Sequence, residues 1–138
     1  MLGVWQFQHQ QGINDEQDFK RRIWERRLEA YMEIGSLTGK LITAKANTVG
    51  FDSLQSRFEQ VYWGKMPLFE DDSVEYRMKH FNEELLLIQK RQGYPSILKL
   101  RGLFLMRACQ KSLYQSWMNM DEARSIIRID SSQKKYMR

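Results

Sequence analysis

Apolar residues recur at intervals of three or four along most of this chain, and that spacing is the feature that most constrains its fold. An α-helix turns once in about 3.6 residues, so this spacing places apolar side chains on one helix face. No segment shows sustained alternation of apolar and polar residues, which is the pattern of a half-buried strand. The 138 residues include only two prolines and eight glycines, so long loops are scarce. The sequence therefore predicts an all-α protein.

The first two helical segments are separated by a turn at residues 47–50. The first segment begins near Asp15, with Asn14 or Asp15 as its N-cap, and continues to that turn. The second begins at Asp52, which has a capping-box partner three residues on, and it must end or bend near Pro67. The predicted core positions are Phe19, Ile23, Ala30, Ile34, Leu37, Leu41 and Ala44 in the first segment, and Leu54, Phe58, Val61, Tyr62 and Met66 in the second.

The third and fourth helical segments lie on either side of Gly93. The third has its start signal at Asp71-Asp72-Ser73, with Asp72 and Glu75 at capping-box spacing. The fourth begins at Pro95 and Ser96. The predicted core positions are Val74, Met78, Phe81, Leu85 and Ile88 in the third segment, and Leu103, Met106, Leu113, Trp117 and Met120 in the fourth. Four helices joined by short turns predict an antiparallel up-down-up-down four-helix bundle with a long first helix.

The periodic part of the chain is expected to be one domain. We predict a linker or membrane-proximal segment at residues 1–13, the bundle at residues 14–120, and a flexible basic tail at residues 121–138. Within the first helix, Gly35 and Gly39 are four residues apart, and each costs about 1 kcal/mol relative to alanine in a helix. Their presence predicts close packing against a neighbouring helix.

Charge is unevenly distributed along the chain. The net charge is +5, residues 94–118 contain four bases and no acid, and residues 47–72 contain five acids and two bases. The favoured explanation is a basic helix lying beside an acidic one, and the alternative is an anionic partner. The bases that would bind such a partner are Lys99, Arg101, Arg107 and Lys111.

The residue types used in catalysis and metal binding do not form a recognised motif. The only cysteine, Cys109, lies in an apolar run and is expected to be a buried hydrophobe. Arg77 precedes His80 by three residues, so the Glu-x-x-His motif of carboxylate-bridged metal bundles is absent. His80, Glu83 and Glu84 are expected on a solvated helix face. We therefore predict no catalytic residue, no metal and no cofactor, and a protein that is not an enzyme.

Two stretches resemble a family of uncharacterised bacterial proteins. QVYWGKMPLFEDD, residues 60–72, is similar to that family's YWG motif before an acidic turn. ACQKSLYQSW, residues 108–117, is similar to its closing Cys-x-x-Ser-Leu and Trp helix, although Gln110 and Lys111 replace an Arg-Asp pair. Met66-Pro67 also departs from the family, in which a proline more commonly follows directly after the position of Lys65. The resemblance covers most of residues 5–118. It implies a helical bundle preceded by a membrane-spanning helix, and it carries no known activity.

The first of these stretches has two interpretations. It is either a structural corner between the second and third helices or an interaction site, and its candidate residues are Tyr62, Trp63, Gly64, Pro67, Asp71 and Asp72. The structural interpretation is favoured, and it predicts that Trp63 is buried. It also predicts that Gly64 allows the close approach of a neighbour.

The expected function is that of a soluble, non-enzymatic interaction or sensing domain of a membrane-anchored bacterial protein. The expected partner is an unidentified protein, and a second copy of the chain is a further candidate. Leu2, Val4, Trp5 and Phe7 form an apolar and aromatic patch that fits a membrane boundary downstream of a spanning helix. The bases at residues 20–22 favour the cytoplasmic side. The alternative function is a basic helical nucleic-acid-binding protein.

Overall fold

The computed structural model describes the backbone of residues 2–136 and the side chains of residues 14–120, together with Gly12. Over that backbone the protein is all-α and contains no strand, which confirms the predicted fold class. The helices are α1 (Leu2–Thr43), α2 (Val49–Gly64), α3 (Met66–Phe69), α4 (Asp72–Gln89) and α5 (Pro95–Tyr136).

The first and last helices are longer than predicted. α1 begins at Leu2, so the predicted N-caps Asn14 and Asp15 lie inside the helix, and α5 continues to Tyr136 through the predicted flexible tail. No proline lies in either extension, and the Glu16–Lys20 ion pair of 3.4 Å supports the helix near its predicted start. The apolar and aromatic patch predicted to fit a membrane boundary lies outside the described side chains. Its residues are Leu2, Val4, Trp5 and Phe7.

The chain divides into two compact units. One is Arg26–Leu113, and the other combines Met1–Glu25 with Tyr114–Arg138. These boundaries lie inside the continuous helices α1 and α5, whereas the predicted ones fall after residues 13 and 120. In the second unit, the rings of Trp24 and Trp117 are in contact, with centroids 5.0 Å apart. Phe19 and Ile23 are exposed there, so the prediction that they are core residues is wrong.

The core of the Arg26–Leu113 unit draws its side chains from α1, α2, α3, α4 and α5. Every predicted core position of the third segment is buried in α4, which confirms that helix face. The buried apolar residues are Ala30, Tyr31, Ile34, Leu37 and Leu41 of α1, Phe51, Phe58 and Val61 of α2, Met66 of α3, Val74, Met78, Phe81, Leu85 and Ile88 of α4, and Leu98, Leu105 and Cys109 of α5.

The helix caps lie upstream of the predicted ones. Thr48 caps α2, because its side-chain oxygen accepts a hydrogen bond from the backbone N–H of Phe51 at 3.2 Å. Asp71 caps α4 in the same way, accepting from the backbone N–H of Val74 at 2.9 Å. The predicted starts at Asp52 and Asp72 instead lie in the first turns of these helices. Both α2 and α4 therefore begin directly after a residue whose side chain accepts a hydrogen bond from an unpaired backbone N–H group of the first turn.

The predicted inner face of α5 is wrong at Leu103, Met106 and Trp117, whereas Leu113 packs against the core. Leu103 and Met106 are exposed, whereas Leu105 is buried. Gly102 explains the choice of face, because a Cβ there would lie 3.1 Å from the Ile42 and Thr38 side chains. α5 therefore packs through the face that contains its glycine.

The close packing predicted at Gly35 and Gly39 is also absent. A Cβ built on either residue would meet no described atom within 4 Å. Both glycines therefore leave an open surface on α1, and the close approach between helices occurs at Gly102 instead.

A buried carboxylate fixes the turn between α4 and α5. Glu84 accepts a hydrogen bond from the backbone N–H of Tyr94 at 2.8 Å, and Arg101 lies 3.7 Å from its other oxygen. The prediction that Glu84 is on a solvated face is wrong, because the turn supplies a buried donor that needs an acceptor. Gly93 is required beside it, since a Cβ there would lie 2.7 Å from Ile88.

Candidate functional site

The corner, defined as residues 62–72, joins α2 to α4 through the single turn of α3. α2 ends at Gly64, three residues before Pro67, as the position of the proline predicts. Pro67 lies in the first turn of α3, where its missing donor is tolerated. Glu70 then has an extended backbone, with φ −75° and ψ 147°, and leads to the Asp71 cap. The connection from α2 to α4 therefore consists of Lys65, α3, Glu70 and Asp71.

A series of aromatic rings leads from the core to the corner. The ring centroids of Phe81 and Phe58 are 5.0 Å apart, those of Phe58 and Tyr62 are 6.3 Å apart, and those of Tyr62 and Trp63 are 4.7 Å apart. Phe81 and Phe58 are fully buried, Tyr62 is half-buried, and Trp63 is 72% exposed. Each ring contacts the next, so the outermost ring, that of Trp63, rests on Tyr62.

Two large apolar side chains of the corner face solvent. Trp63 is 72% exposed and Leu68 is 77% exposed, so the prediction that Trp63 is buried is wrong. Val61 lies on the inner face of α2, and two helical steps of about 100° carry Trp63 to the opposite side. The close approach predicted at Gly64 is absent as well, because a Cβ there would meet no described atom within 4 Å.

α1 holds the corner through one carboxylate. Glu33 accepts a hydrogen bond from Arg57 at 3.1 Å and another from Lys65 at 2.9 Å, one on each oxygen. The hydrogen bond from Lys65 is the main reason that the pKa of Glu33 is lowered from its ordinary value. A single residue of α1 therefore fixes both the body of α2 and its C-terminal end.

α1 also binds the backbone of the corner. The Phe69 carbonyl accepts from the Arg27 guanidinium at 2.7 Å and from the Tyr31 hydroxyl at 3.3 Å. The Tyr31 and Ser112 hydroxyls are hydrogen-bonded at 3.0 Å, which extends this connection to α5. Burial raises the pKa of Tyr31, so the phenol stays protonated and can donate.

Glu70, within the corner, is a partly buried acid. One side-chain oxygen of Glu70 is buried and accepts no hydrogen bond within the described residues. Burial, followed by the charges of Glu75 and Asp71, raises the pKa of Glu70 to about 7. Burial, followed by the charges of Asp71 and Glu70, raises the pKa of the Cys109 thiol to about 12. Cys109 is therefore a protonated, buried thiol, which confirms its interpretation as a small hydrophobe.

The four bases predicted to bind an anionic partner do not share the same surroundings in the structure. Lys99, Arg107 and Lys111 are exposed on α5 and form no ion pair within the described part of the chain. Arg101 is turned inward, where it donates to the His80 carbonyl at 2.8 Å. No ion pair between described residues joins a base of 94–118 to an acid of 47–72, so the favoured explanation of the charge pattern finds no support at these side chains.

The described residues form neither a metal site nor a pocket large enough for a typical small molecule. No group of three or more His, Cys, Asp and Glu side chains there is arranged to hold a metal ion. An open apolar groove of about 210 Å³ lies between α1 and α5, and its lining includes Met32, Gly35 and Met106. This volume is below the roughly 300 Å³ at which pockets for small-molecule ligands begin.

The chain was compared with family models, with curated proteins and with solved structures, and none of the three comparisons gave a match. The family resemblance of the sequence therefore stays a prediction. Within the described helices, no segment is long and apolar enough to cross a membrane.

Sequence reasoning located the corner but missed three residues that define it. Leu68 adjoins Pro67 and could have been included as an apolar neighbour of the turn. Glu33 and Glu70 gave no signal, because their roles depend on contacts made by residues distant in sequence.

Proposed function

We propose that the Arg26–Leu113 unit is a non-enzymatic interaction domain that binds a partner protein through Trp63 and Leu68. The observation that carries this proposal is the exposure of both side chains on a corner that α1 holds in place. Exposed tryptophan is typical of the few residues that dominate binding energy at interfaces. A support that is rigid before binding reduces the conformational entropy lost on association.

The proposed architecture of this unit is the antiparallel up-down-up-down four-helix bundle, formed by α1, α2, α4 and α5 with a long first helix. One cluster of buried residues receives side chains from all four helices, which supports this arrangement. Nuclear Overhauser contacts between Gly102 and Ile42, and between Phe58 and Phe81, are expected. Their absence would contradict the bundle.

The proposed binding role is tested by substituting Trp63. The variant Trp63→Ala should change the free energy of unfolding by less than about 0.5 kcal/mol, because an exposed side chain is removed. It should weaken partner binding by about 30-fold or more, which is the effect expected of a residue that dominates an interface. Tyr94→Ala is the matched control, since Tyr94 is also an exposed aromatic residue but lies at the α4–α5 turn.

The measurement has two parts. Urea unfolding gives the stability of each variant, and a photocrosslinking amino acid at position 63 or 94 of the full-length protein in cells identifies the partner for affinity measurements. Crosslinking at position 63 alone, with binding lost in Trp63→Ala and retained in Tyr94→Ala, supports the proposal. A loss of 2–4 kcal/mol of stability in Trp63→Ala, as expected for a buried ring, would restore the structural interpretation.

We also propose that a membrane-spanning helix lies upstream of Met1 and holds the domain on the cytoplasmic side of a bacterial membrane. The apolar and aromatic residues near the start, followed by the bases at residues 20–22, support this location. The ion pairs of Lys20 with Glu16 and of Arg21 with Glu25 weaken the argument for orientation. The upstream reading frame and the fractionation of the full-length protein test the proposal, and a protein found only in the soluble fraction would contradict it.

A further inference from the structure

The outer face of α5 combines exposed apolar residues with exposed bases. Leu100, Leu103 and Met106 are 52%, 42% and 40% exposed. Steps of about 100° per residue place them within roughly 120° of helix circumference. The exposed bases Lys99 and Arg107 lie in the same arc, and the exposed Lys111 lies about 20° beyond its edge. These six residues are called the outer face of α5, and all of them lie in the Arg26–Leu113 unit.

The charge of this face is not neutralised within the described part of the chain. Elsewhere in the same unit, Arg57 and Lys65 share Glu33, and Arg101 lies beside Glu84. The three bases of the outer face form no ion pair with a described residue, and residues 94–118 contain no acid that could reach them along the helix. An anionic surface is therefore the complementary partner.

The apolar residues decide which kind of anionic surface fits. Phosphate groups of a nucleic acid would pair with the bases but would leave Leu100 and Leu103 in water. Single-stranded nucleic acid also requires aromatic side chains on which bases stack. The aromatic residue within this stretch is Phe104, and its ring lies under the Arg77 guanidinium at 4.8 Å. No aromatic ring therefore belongs to the outer face itself, and the next exposed one along α5 is that of Tyr114.

A protein partner also fits the outer face poorly. An amphipathic helix from another protein binds in a groove between two elements, whereas all six residues belong to one helix. Met106 also lines the groove between α1 and α5, but the other five residues are not part of that lining.

We propose that the outer face of α5 binds the surface of an anionic lipid bilayer. With α5 parallel to the bilayer, Leu100, Leu103 and Met106 enter the boundary between headgroups and acyl chains. The flexible stems of Lys99, Arg107 and Lys111 extend to the lipid phosphates at the same depth. This contact is independent of any membrane-spanning segment, and it would bring the domain into a fixed orientation on the membrane.

The test measures co-sedimentation of the full chain with lipid vesicles. Vesicles of phosphatidylcholine containing about one quarter phosphatidylglycerol should bind the protein, and vesicles of phosphatidylcholine alone should not. Binding should decrease between about 50 mM and about 500 mM salt, because screening weakens the attraction of the bases.

Two variants with the same net charge separate the outer face from a general effect of charge. The first is K99Q/R107Q/K111Q, and the control is K40Q/K79Q/K90Q, which removes three exposed lysines from α1 and the α4 region. Binding should weaken by at least about tenfold in the first and by less than about threefold in the control. Equal losses in both variants, or no binding of the unmodified chain to anionic vesicles, would overturn the proposal.

A third variant distinguishes a bilayer from a polyanion. L100Q/L103Q should bind anionic vesicles at least about tenfold more weakly, because two side chains no longer enter the boundary. It should bind heparin as the unmodified chain does. Circular dichroism should show unchanged helicity, since both leucines are exposed. Unchanged vesicle binding by this variant, or RNA binding tighter than vesicle binding, would overturn the proposal in favour of a nucleic-acid surface.

Discussion

α4 and α5 contribute to the same core, yet they use their apolar residues differently. On α4, the five residues of the predicted face are each 3% exposed or less. On α5, Leu105 is fully buried, whereas Leu103, two positions away, is 42% exposed. α4 therefore has one continuous apolar face, which the core occupies, although Tyr76, Leu86 and Leu87 are exposed outside it. The outer apolar residues of α5 instead follow one another at helical spacing and form a second face. The difference shows that the outer apolar residues of α5 are not needed to complete the core, which leaves them available for contacts outside it.

The largest effect is expected from a pair of leucines on α5. Leu105→Ala should lower the free energy of unfolding by about 2–5 kcal/mol, because it leaves a cavity in the core. Leu103→Ala should change it by less than about 0.5 kcal/mol. Leu85→Ala on α4 is the matched buried control and should resemble Leu105→Ala. Urea unfolding measures all three, and equal effects at positions 103 and 105 would remove the distinction between the two faces.

A smaller effect is expected where α5 approaches α1 and α4. Gly102→Ala should destabilise the fold by about 1–3 kcal/mol, because the new Cβ would press on Ile42, Thr38 and Phe81 at 3.1–3.3 Å. Gly35→Ala is the control, since a Cβ there meets nothing within 4 Å. It should stabilise α1 by up to about 1 kcal/mol through helix propensity. The midpoint temperature of thermal unfolding should therefore fall for Gly102→Ala and rise for Gly35→Ala.

A stabilising Gly102→Ala would show that α5 does not pack against its neighbours through this residue. A destabilising Gly35→Ala would indicate that the open face of α1 is covered in solution. Sedimentation of that variant would then show whether the cover is a second copy of the chain.

The smallest effect is expected just before α4, at Glu70. Its pKa of about 7 in the folded protein is above its ordinary value of 4.5, so folding favours the protonated acid. The resulting stabilisation is complete below about pH 4.5 and is lost as the pH rises to about 7. Glu70→Gln should therefore be more stable than the unmodified protein by about 1 kcal/mol at pH 8, a value reduced for solvent screening.

At pH 4 the two proteins should have the same stability within about 0.5 kcal/mol, because Glu70 is then protonated in both the folded and unfolded chains. Urea unfolding at the two pH values measures the difference. Tyr62, Asp71, Glu75 and Cys109 also lie in the electrostatic surroundings of Glu70, so only the difference between variant and unmodified protein isolates this acid. An equal difference at both pH values would mean that Glu70 is not the titrating group.

The sequence predicts α4 well for a physical reason. Five of its apolar residues, from Val74 to Ile88, recur at intervals of three or four and form one stripe. The remaining ones, Tyr76, Leu86 and Leu87, form no second run at that spacing, so the pattern favours one inner face. On α5, Leu103 and Met106 belong to one stripe, and Leu98, Leu105 and Cys109 belong to another. Both stripes satisfy the helical period, and the choice depends on Gly102, whose contacts come from α1 and α4. Periodicity within one helix carries no information about such contacts.

At the corner, too, some features depend on neighbouring residues in the sequence and others on contacts with distant residues. Its position follows from Pro67 and the acidic residues after it, all of which act on the adjacent backbone. The exposure of Trp63 depends on which face of α2 meets the core, and that face includes Phe51, which sequence reasoning left out. Aromatic residues are buried so often that composition favours the wrong outcome here.

Glu33 has a consequence for how this chain tolerates mutation over time. Two bases, Arg57 and Lys65, bind its two oxygens separately, so the loss of either base leaves the other hydrogen bond in place. The loss of Glu33 removes both at once. Sequence drift is therefore expected to be asymmetric, with related chains able to exchange either base for a neutral residue while the acid on α1 is retained. A residue that gives no signal in one sequence would then become the most constant position around the corner.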